Sequence, residues 1–83
     1  MARATEVYTE VNLASLRREI AQGHGEYVDT LASLLGASEA NRPALVKYMQ
    51  SEYASLFPTA NTSSAEMLNV LSQKLADHSE LLG

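Results

Sequence analysis

Cysteine is absent from this sequence, and several residue types that mark particular protein classes are scarce. The 83 residues include no cysteine, no tryptophan, two prolines and four glycines. Without cysteine there can be no disulfide framework, no thiolate zinc site and no cysteine nucleophile. Stability must therefore come mainly from buried apolar side chains, and a chain of this size buries only about 60–65% of its unfolded surface.

Long hydrophobic runs are missing as well. No run of consecutive apolar residues exceeds three, whereas a membrane-spanning helix needs about 20. Residues 1–10 also lack the apolar stretch of a secretory signal. We therefore expect no membrane span.

Positive charge is in short supply. Six Lys and Arg residues stand against ten Asp and Glu residues, a formal net charge of −4. The longest basic run is Arg17-Arg18. This balance argues against nucleic acid as a partner. It would suit an acidic, inhibitor-like bundle that blocks a basic partner, although no specific motif supports that alternative.

Apolar residues at three- and four-residue spacing are abundant, and this spacing is typical of amphipathic helices. We predict a single all-α domain over residues 1–83, a compact bundle of four short amphipathic helices. Residues 1–8 are expected to form a loose N-terminal extension. The four helices are predicted over 13–22, 26–35 and 42–57, and from the Ser63–Glu66 capping box to Leu82.

The connections between the predicted helices carry the glycines. Gly23 is expected to end the first helix in a left-handed conformation, and Gly25 to let the chain reverse closely against it. Glu26 then lies in the first turn of the next helix, where its charge suits the helix dipole. Gly36 is expected to close that helix. The stretch Gly23-His24-Gly25-Glu26 is thus interpreted as a structural turn, with His24 at the core side or rim.

Several charged residues fall within the apolar arcs of the predicted helices. Arg17 lies among the apolar residues of the first helix, Glu52 in the third, and Lys74 and His78 in the last. Long charged side chains often border a core with their stems buried. The sharper hypothesis is a partly buried ion pair between Arg17 and Glu52 that fixes the register of two helices.

Two histidines and a carboxylate, His24, Glu26 and His78, are the only candidates for a metal or small-ligand site or for the active site of an enzyme. Two histidines and one carboxylate can hold a transition metal, but their spacing matches no known ligand motif. No nucleophile elbow and no phosphate-binding loop occurs. We therefore predict no cofactor and no catalytic residues, and favour a protein that is not an enzyme.

A protein partner or self-association is the favoured alternative to chemistry. Tyr48 and Phe57 would be natural contact residues if they flanked an exposed groove. Leu81 and Leu82, beyond the last predicted core turn, could provide an apolar stripe for pairing. The sequence does not choose between a second copy and a different partner.

The stretch from Thr9 to Gly36, TEVNLASLRREIAQGHGEYVDTLASLLG, resembles an uncharacterised family of exported Gram-negative bacterial proteins, the DUF3015 family. The likeness rests on Asn12, Ala21 and the Gly23-x-Gly25-Glu26 turn, followed by the leucine-rich segment 31–36. It continues through YMQSEYASLFP and TSSAEMLNVL to about Leu75. The resemblance implies a periplasmic location and the carboxy-terminal helical part of a longer precursor. It implies no activity.

Overall fold

The computed structural model describes residues 1–83 and contains helices and connecting turns but no strand. This confirms the all-α class and corrects the number of helices, since six are present instead of four. They are α1 (Arg3–Val11), α2 (Leu13–Gln22), α3 (Glu26–Leu34), α4 (Arg42–Ser51), α5 (Tyr53–Leu56) and α6 (Ser64–Ala76), followed by a 3₁₀ turn (Ser79–Leu81). No helix has both the length and the apolar character that crossing a membrane requires.

The first helix replaces the loose extension that the sequence suggested for residues 1–8. Thr5 and Thr9, one helical turn apart, are both buried, and the Thr9 hydroxyl donates a hydrogen bond to the Thr5 carbonyl oxygen at 2.7 Å. The helix packs against α3 and α6. Asn12 does not cap α2 with its side chain; its amide nitrogen donates to the Tyr8 carbonyl oxygen at the end of α1. Helix α1 is held by its packing against other helices, and the face that it buries is polar. The spacing of apolar residues therefore did not predict it.

The core lies between the other five helices. Every one of them contributes at least one fully buried apolar side chain, whereas α1 contributes none. The buried apolar residues are Leu16, Ile20, Val28, Leu31, Ala32, Ala37, Leu45, Val46, Met49, Leu56, Phe57, Met67, Leu68, Leu71 and Leu75. Helix α1 thus lies over a core that the remainder of the chain has built.

The third predicted helix is interrupted at Glu52. Helix α4 ends at Ser51, Glu52 takes a non-helical conformation (φ −102°, ψ 15°), and α5 then adds one turn from Tyr53 to Leu56. The Ser51 hydroxyl donates to the Tyr48 carbonyl oxygen at 2.6 Å. Serine makes such local bonds in competition with regular helical bonding, and apolar periodicity alone does not register them.

The last helix begins as predicted but ends early. The Ser63 hydroxyl accepts the Glu66 N–H at 3.1 Å, and the Glu66 carboxylate accepts the Ser63 N–H at 2.9 Å, which completes the capping box. Helix α6 stops at Ala76, so His78 and Leu82 lie outside it. The chain end is held instead by tertiary bonds, because the Ser38 N–H donates to the Leu82 carbonyl oxygen at 3.1 Å.

Candidate functional site

The turn between α2 and α3, here called the glycine corner (residues 23–26), depends on two glycines. Gly23 has φ 83° and donates its N–H to the Glu19 carbonyl oxygen at 2.8 Å. A Cβ atom at Gly23 would lie 2.5 Å from the Gln50 side-chain oxygen of α4. The Gln50 amide nitrogen in turn donates to the Ala21 carbonyl oxygen at 3.2 Å. Position 23 therefore requires a left-handed backbone, and a side chain there would also displace the exposed Gln50 side chain.

Gly25 makes room for a buried carboxylate. Its backbone has φ 144° and ψ 160°, a region that essentially only glycine occupies. A Cβ atom there would lie 2.1 Å from the carboxyl carbon of Glu19. The Glu19 side chain is almost fully buried, and its Oε1 accepts the Val28 N–H at 2.9 Å. Glu19 thus caps the first turn of α3 from the neighbouring helix, where a negative charge is favoured.

Glu19 is a residue that the sequence analysis missed. It lies outside the apolar arc of Leu16 and Ile20, and its position is that of an ordinary surface glutamate of α2. Its hydrogen-bond partner is nine residues away, across a turn whose geometry is a tertiary property. No local pattern could have identified this cap.

A cleft of about 610 Å³ opens beside the glycine corner. His24, Glu26 and Asp29 on one side face Lys47 and Gln50 of α4 on the other. His24 is exposed, so it does not turn toward the core. The cleft carries charges of both signs, an arrangement that does not select one class of ligand.

The third member of the proposed metal set is elsewhere. The His78 ring packs against Tyr48 with ring centroids 5.1 Å apart, and its Nδ1 lies 3.3 Å from the Glu80 Oε1. No group of three His, Cys, Asp or Glu side chains that could hold a metal ion exists in the structure. The structure therefore does not bring His24, Glu26 and His78 together as one metal site. The apolar spacing of the last predicted helix placed His78 within it, whereas His78 lies after the end of α6.

Arg17 and Glu52 do not form the ion pair that the sequence suggested. The Arg17 guanidinium donates to the carbonyl oxygens of Thr59 (3.0 Å) and Ala60 (3.1 Å) and to the Tyr53 hydroxyl (3.1 Å). It therefore fastens the loop before α6 to helix α2. Three donors in one planar group suit this task.

Glu52 pairs with a different cation. Its Oε1 lies 2.6 Å from the Lys74 Nζ of α6. The hydrogen bond to Glu52 raises the pKa of Lys74. This pair joins the break between α4 and α5 to helix α6.

The predicted partner-contact residues are largely covered. Phe57 is only 4% exposed, with the Arg17 guanidinium carbon 5.0 Å from its ring centroid. Tyr48 is half-buried against His78. Leu81 and Leu82 are also half-buried and pack on the core. Phe57 therefore does not flank an exposed groove, whereas Tyr48, Leu81 and Leu82 keep part of their surface exposed.

The exposed apolar side chains lie at the opposite end of the sequence. All large hydrophobic residues that are well exposed belong to α1, the N-terminal residue near it, or α3: Met1, Val7, Val11, Tyr27 and Leu34. We call this set the α1–α3 apolar surface. The two helices pack together, and the Tyr8 hydroxyl joins them by donating to the Tyr27 carbonyl oxygen at 3.0 Å. Burial raises the pKa of Tyr8.

Comparison with known proteins identifies the family to which this chain belongs. The family described as protein of unknown function (DUF3015) matches residues 1–82. The chain belongs to the DUF3015 family. No curated protein and no solved structure matches it.

The match with DUF3015 covers all six helices and the 3₁₀ turn. It extends beyond the stretch from Thr9 to about Leu75 on which the resemblance was first based. Helix α1 is therefore part of the DUF3015 region, and the α1–α3 apolar surface is a feature of that region and not of an unrelated extension.

Proposed function

We propose that this DUF3015 domain is a non-enzymatic protein-interaction domain that binds its partner through the α1–α3 apolar surface. One observation carries the proposal: helix α1 buries threonines and exposes valines. Thr5 and Thr9 face the core, while Val7 is 48% and Val11 is 74% exposed. A helix that served only to cover the core would have the opposite arrangement.

The exposed valines have no local reason to be there. Valine is a weaker helix former than alanine, lysine or glutamate, so it does not favour α1 by propensity. Fully burying a valine or leucine side chain contributes about 1.5–3 kcal/mol. Covering the five partly exposed side chains of this surface would contribute on the order of 5 kcal/mol before the costs of association. Because association itself costs at least about 4 kcal/mol, burial of this surface would support a weak contact.

Several polar groups elsewhere in the chain have structural roles. Glu19 caps a helix, Arg17 fastens a loop, and Glu52 pairs with Lys74. The hydroxyl of the buried Thr62 donates to the Thr59 carbonyl oxygen at 3.0 Å. These polar groups are thus satisfied within the fold. We further propose an exported, periplasmic location, on the basis of the resemblance to exported bacterial proteins.

The surface can be tested by using the folded domain as bait in an envelope extract from Gram-negative bacteria. A V7K/V11K variant is compared with the wild type and with A44K/Q73K, which adds the same charge at exposed positions on α4 and α6. Proteins captured by the wild type and the control, but lost with V7K/V11K, support the proposal. Equal capture by all three baits, or no capture that depends on the surface, contradicts it.

A further inference from the structure

We propose that the partner of the α1–α3 apolar surface is a second copy of this chain, with two α1 helices packed antiparallel about a two-fold axis near Val7. This inference rests on the proposed function and names its partner. Apolar and charged residues follow one another along the outer face of α1 in an order that is complementary to itself when two copies of the helix run antiparallel.

The apolar residues of this face follow the spacing of a helix-pairing seam. Ala4, Val7 and Val11 are separated by three and four residues and all are exposed. Residues at this spacing form one stripe along a helix. When Val7 of each copy lies at the centre, Ala4 of one copy comes opposite Val11 of the second copy. A small side chain then meets a larger one at both ends of the contact.

The charges beside the seam are arranged to match. Arg3 and Glu10 are seven residues apart, so they lie on the same edge of α1, on opposite sides of Val7 along the axis. In an antiparallel pair related by a two-fold axis, an edge of one helix meets the same edge of the other. Arg3 then faces Glu10 of the second copy, and their Cα positions differ by only about 1.5 Å along the axis. Each dimer contains this pair twice.

Both charged side chains are free to make these contacts. Arg3 and Glu10 are exposed, and neither takes part in a salt bridge within the chain. In a parallel pair the edge with Arg3 and Glu10 would instead meet the opposite edge of the second copy, which carries Tyr8 and no charge, so neither charged side chain would find a partner across the contact. The sequence of charges therefore favours the antiparallel arrangement over the parallel one.

The neighbouring elements allow such a contact and extend it. The side of α1 that packs within its own chain carries Thr5 and Thr9, opposite the proposed seam. Tyr8 borders the seam on the α3 side, where its hydroxyl bonds to the exposed Tyr27. Because α1 has only nine residues, the interface is small and the dimer should be weak and concentration-dependent.

The test uses the two charged positions in sedimentation velocity experiments on the full chain, at concentrations up to about 1 mM, which corresponds to a standard free energy of about −4 kcal/mol. The wild type should dimerise. R3E and E10R each place like charges opposite each other twice, and each should weaken dimerisation about tenfold or more. The double variant R3E/E10R restores both pairs in reversed order and should dimerise like the wild type.

A mixture of R3E and E10R gives the sharpest result. In the heterodimer, the copy with R3E is acidic at positions 3 and 10, and the copy with E10R is basic at both. Opposite charges therefore meet at both ends of the contact, and the heterodimer should form at concentrations where neither variant dimerises alone. Circular dichroism of each variant checks folding. V7K should abolish dimerisation regardless of the charges.

Two outcomes overturn the inference. One is a wild-type chain that stays monomeric at about 1 mM; the other is a wild-type dimer that R3E and E10R weaken without recovery in the mixture or the double variant. If the wild type is monomeric while the bait experiment still captures another protein through Val7 and Val11, only the second copy is rejected. If neither experiment depends on Val7 and Val11, the proposed function fails as well.

Discussion

Replacing Gly25 with alanine should remove a large part of the stability of this domain. The change forces a side chain into a backbone conformation of φ 144° and places its Cβ 2.1 Å from the carboxyl carbon of the buried Glu19. The backbone strain costs on the order of 1–3 kcal/mol. Moving Glu19 breaks its hydrogen bond to the Val28 N–H, and bonds to charged groups contribute about 1.5–3 kcal/mol. We expect a total loss of about 2.5–6 kcal/mol.

The magnitude matters because the reserve is small. A domain of this length typically has a free energy of unfolding of about 4–12 kcal/mol. Gly25→Ala should therefore shift the urea unfolding midpoint strongly or leave the chain unfolded. Urea titration followed by far-ultraviolet circular dichroism measures the effect. His24→Ala, at an exposed neighbouring position, should change stability by less than about 0.5 kcal/mol, and Gly25→Val should be more damaging than either.

Two controls separate backbone strain from the displaced carboxylate. Gly36 also has a positive φ (101°), but nothing lies within 4 Å of a Cβ built there. Gly36→Ala should therefore cost only the strain, about 1–3 kcal/mol. In a Glu19→Ala background, Gly25→Ala should cost about the same, because the carboxylate is already gone. Additivity of Glu19→Ala and Gly25→Ala within about 0.5 kcal/mol would refute the reasoning.

The remaining predictions concern the contacts between the other helices. Arg17→Met should cost about 1.5–3 kcal/mol in urea unfolding, because it loses the bonds to Thr59, Ala60 and Tyr53; retention of most of this stability in Arg17→Lys would count against the role of the planar guanidinium. In double-mutant cycles, the effects of Glu52→Gln and Arg17→Met on the free energy of unfolding should add. The effects of Glu52→Gln and Lys74→Met should not add, since Glu52 contacts Lys74. The reverse result would support an ion pair between Arg17 and Glu52. Hydrogen bonds from the Ser63 backbone and side chain lower the pKa of Glu66 below its usual 4.5. A lowered folded-state pKa gives stability that is present above the unfolded pKa and lost as pH falls through the folded pKa. The stability difference between the wild type and Glu66→Gln should therefore disappear in acid, and a difference that persists at low pH would exclude this ionisation as its source.

The sequence predicted the features that depend on neighbouring residues. Apolar periodicity located α2, α3 and α6 and the first half of α4–α5, and the Ser63–Glu66 pattern located the start of α6. Gly23 and Gly36 lie in left-handed turns at the ends of α2 and α3, where local rules for helix termination placed them. These signals work because the atoms concerned are within a few residues of one another.

Most of the side-chain partners could not be predicted in this way. Arg17 and Glu52 were both recognised as unusual, yet each bonds to a different group from the one expected. Phe57 was considered as a contact residue in case it flanked an exposed groove, and it is buried just after the break between α4 and α5. A projection of an ideal helix cannot anticipate such a break, and one misplaced turn changes the direction of every later side chain.

The sequence by itself determined that the protein is all-α, acidic, free of cysteine and a member of the DUF3015 family, because composition, periodicity and the glycine turn are properties of short stretches. Only the tertiary structure decided that α1 exists as a packed helix, that its valines face outward, and that the second glycine of the corner makes room for Glu19. Each of these depends on atoms that are distant along the chain or on different helices, and their approach is set by the packing of the whole core.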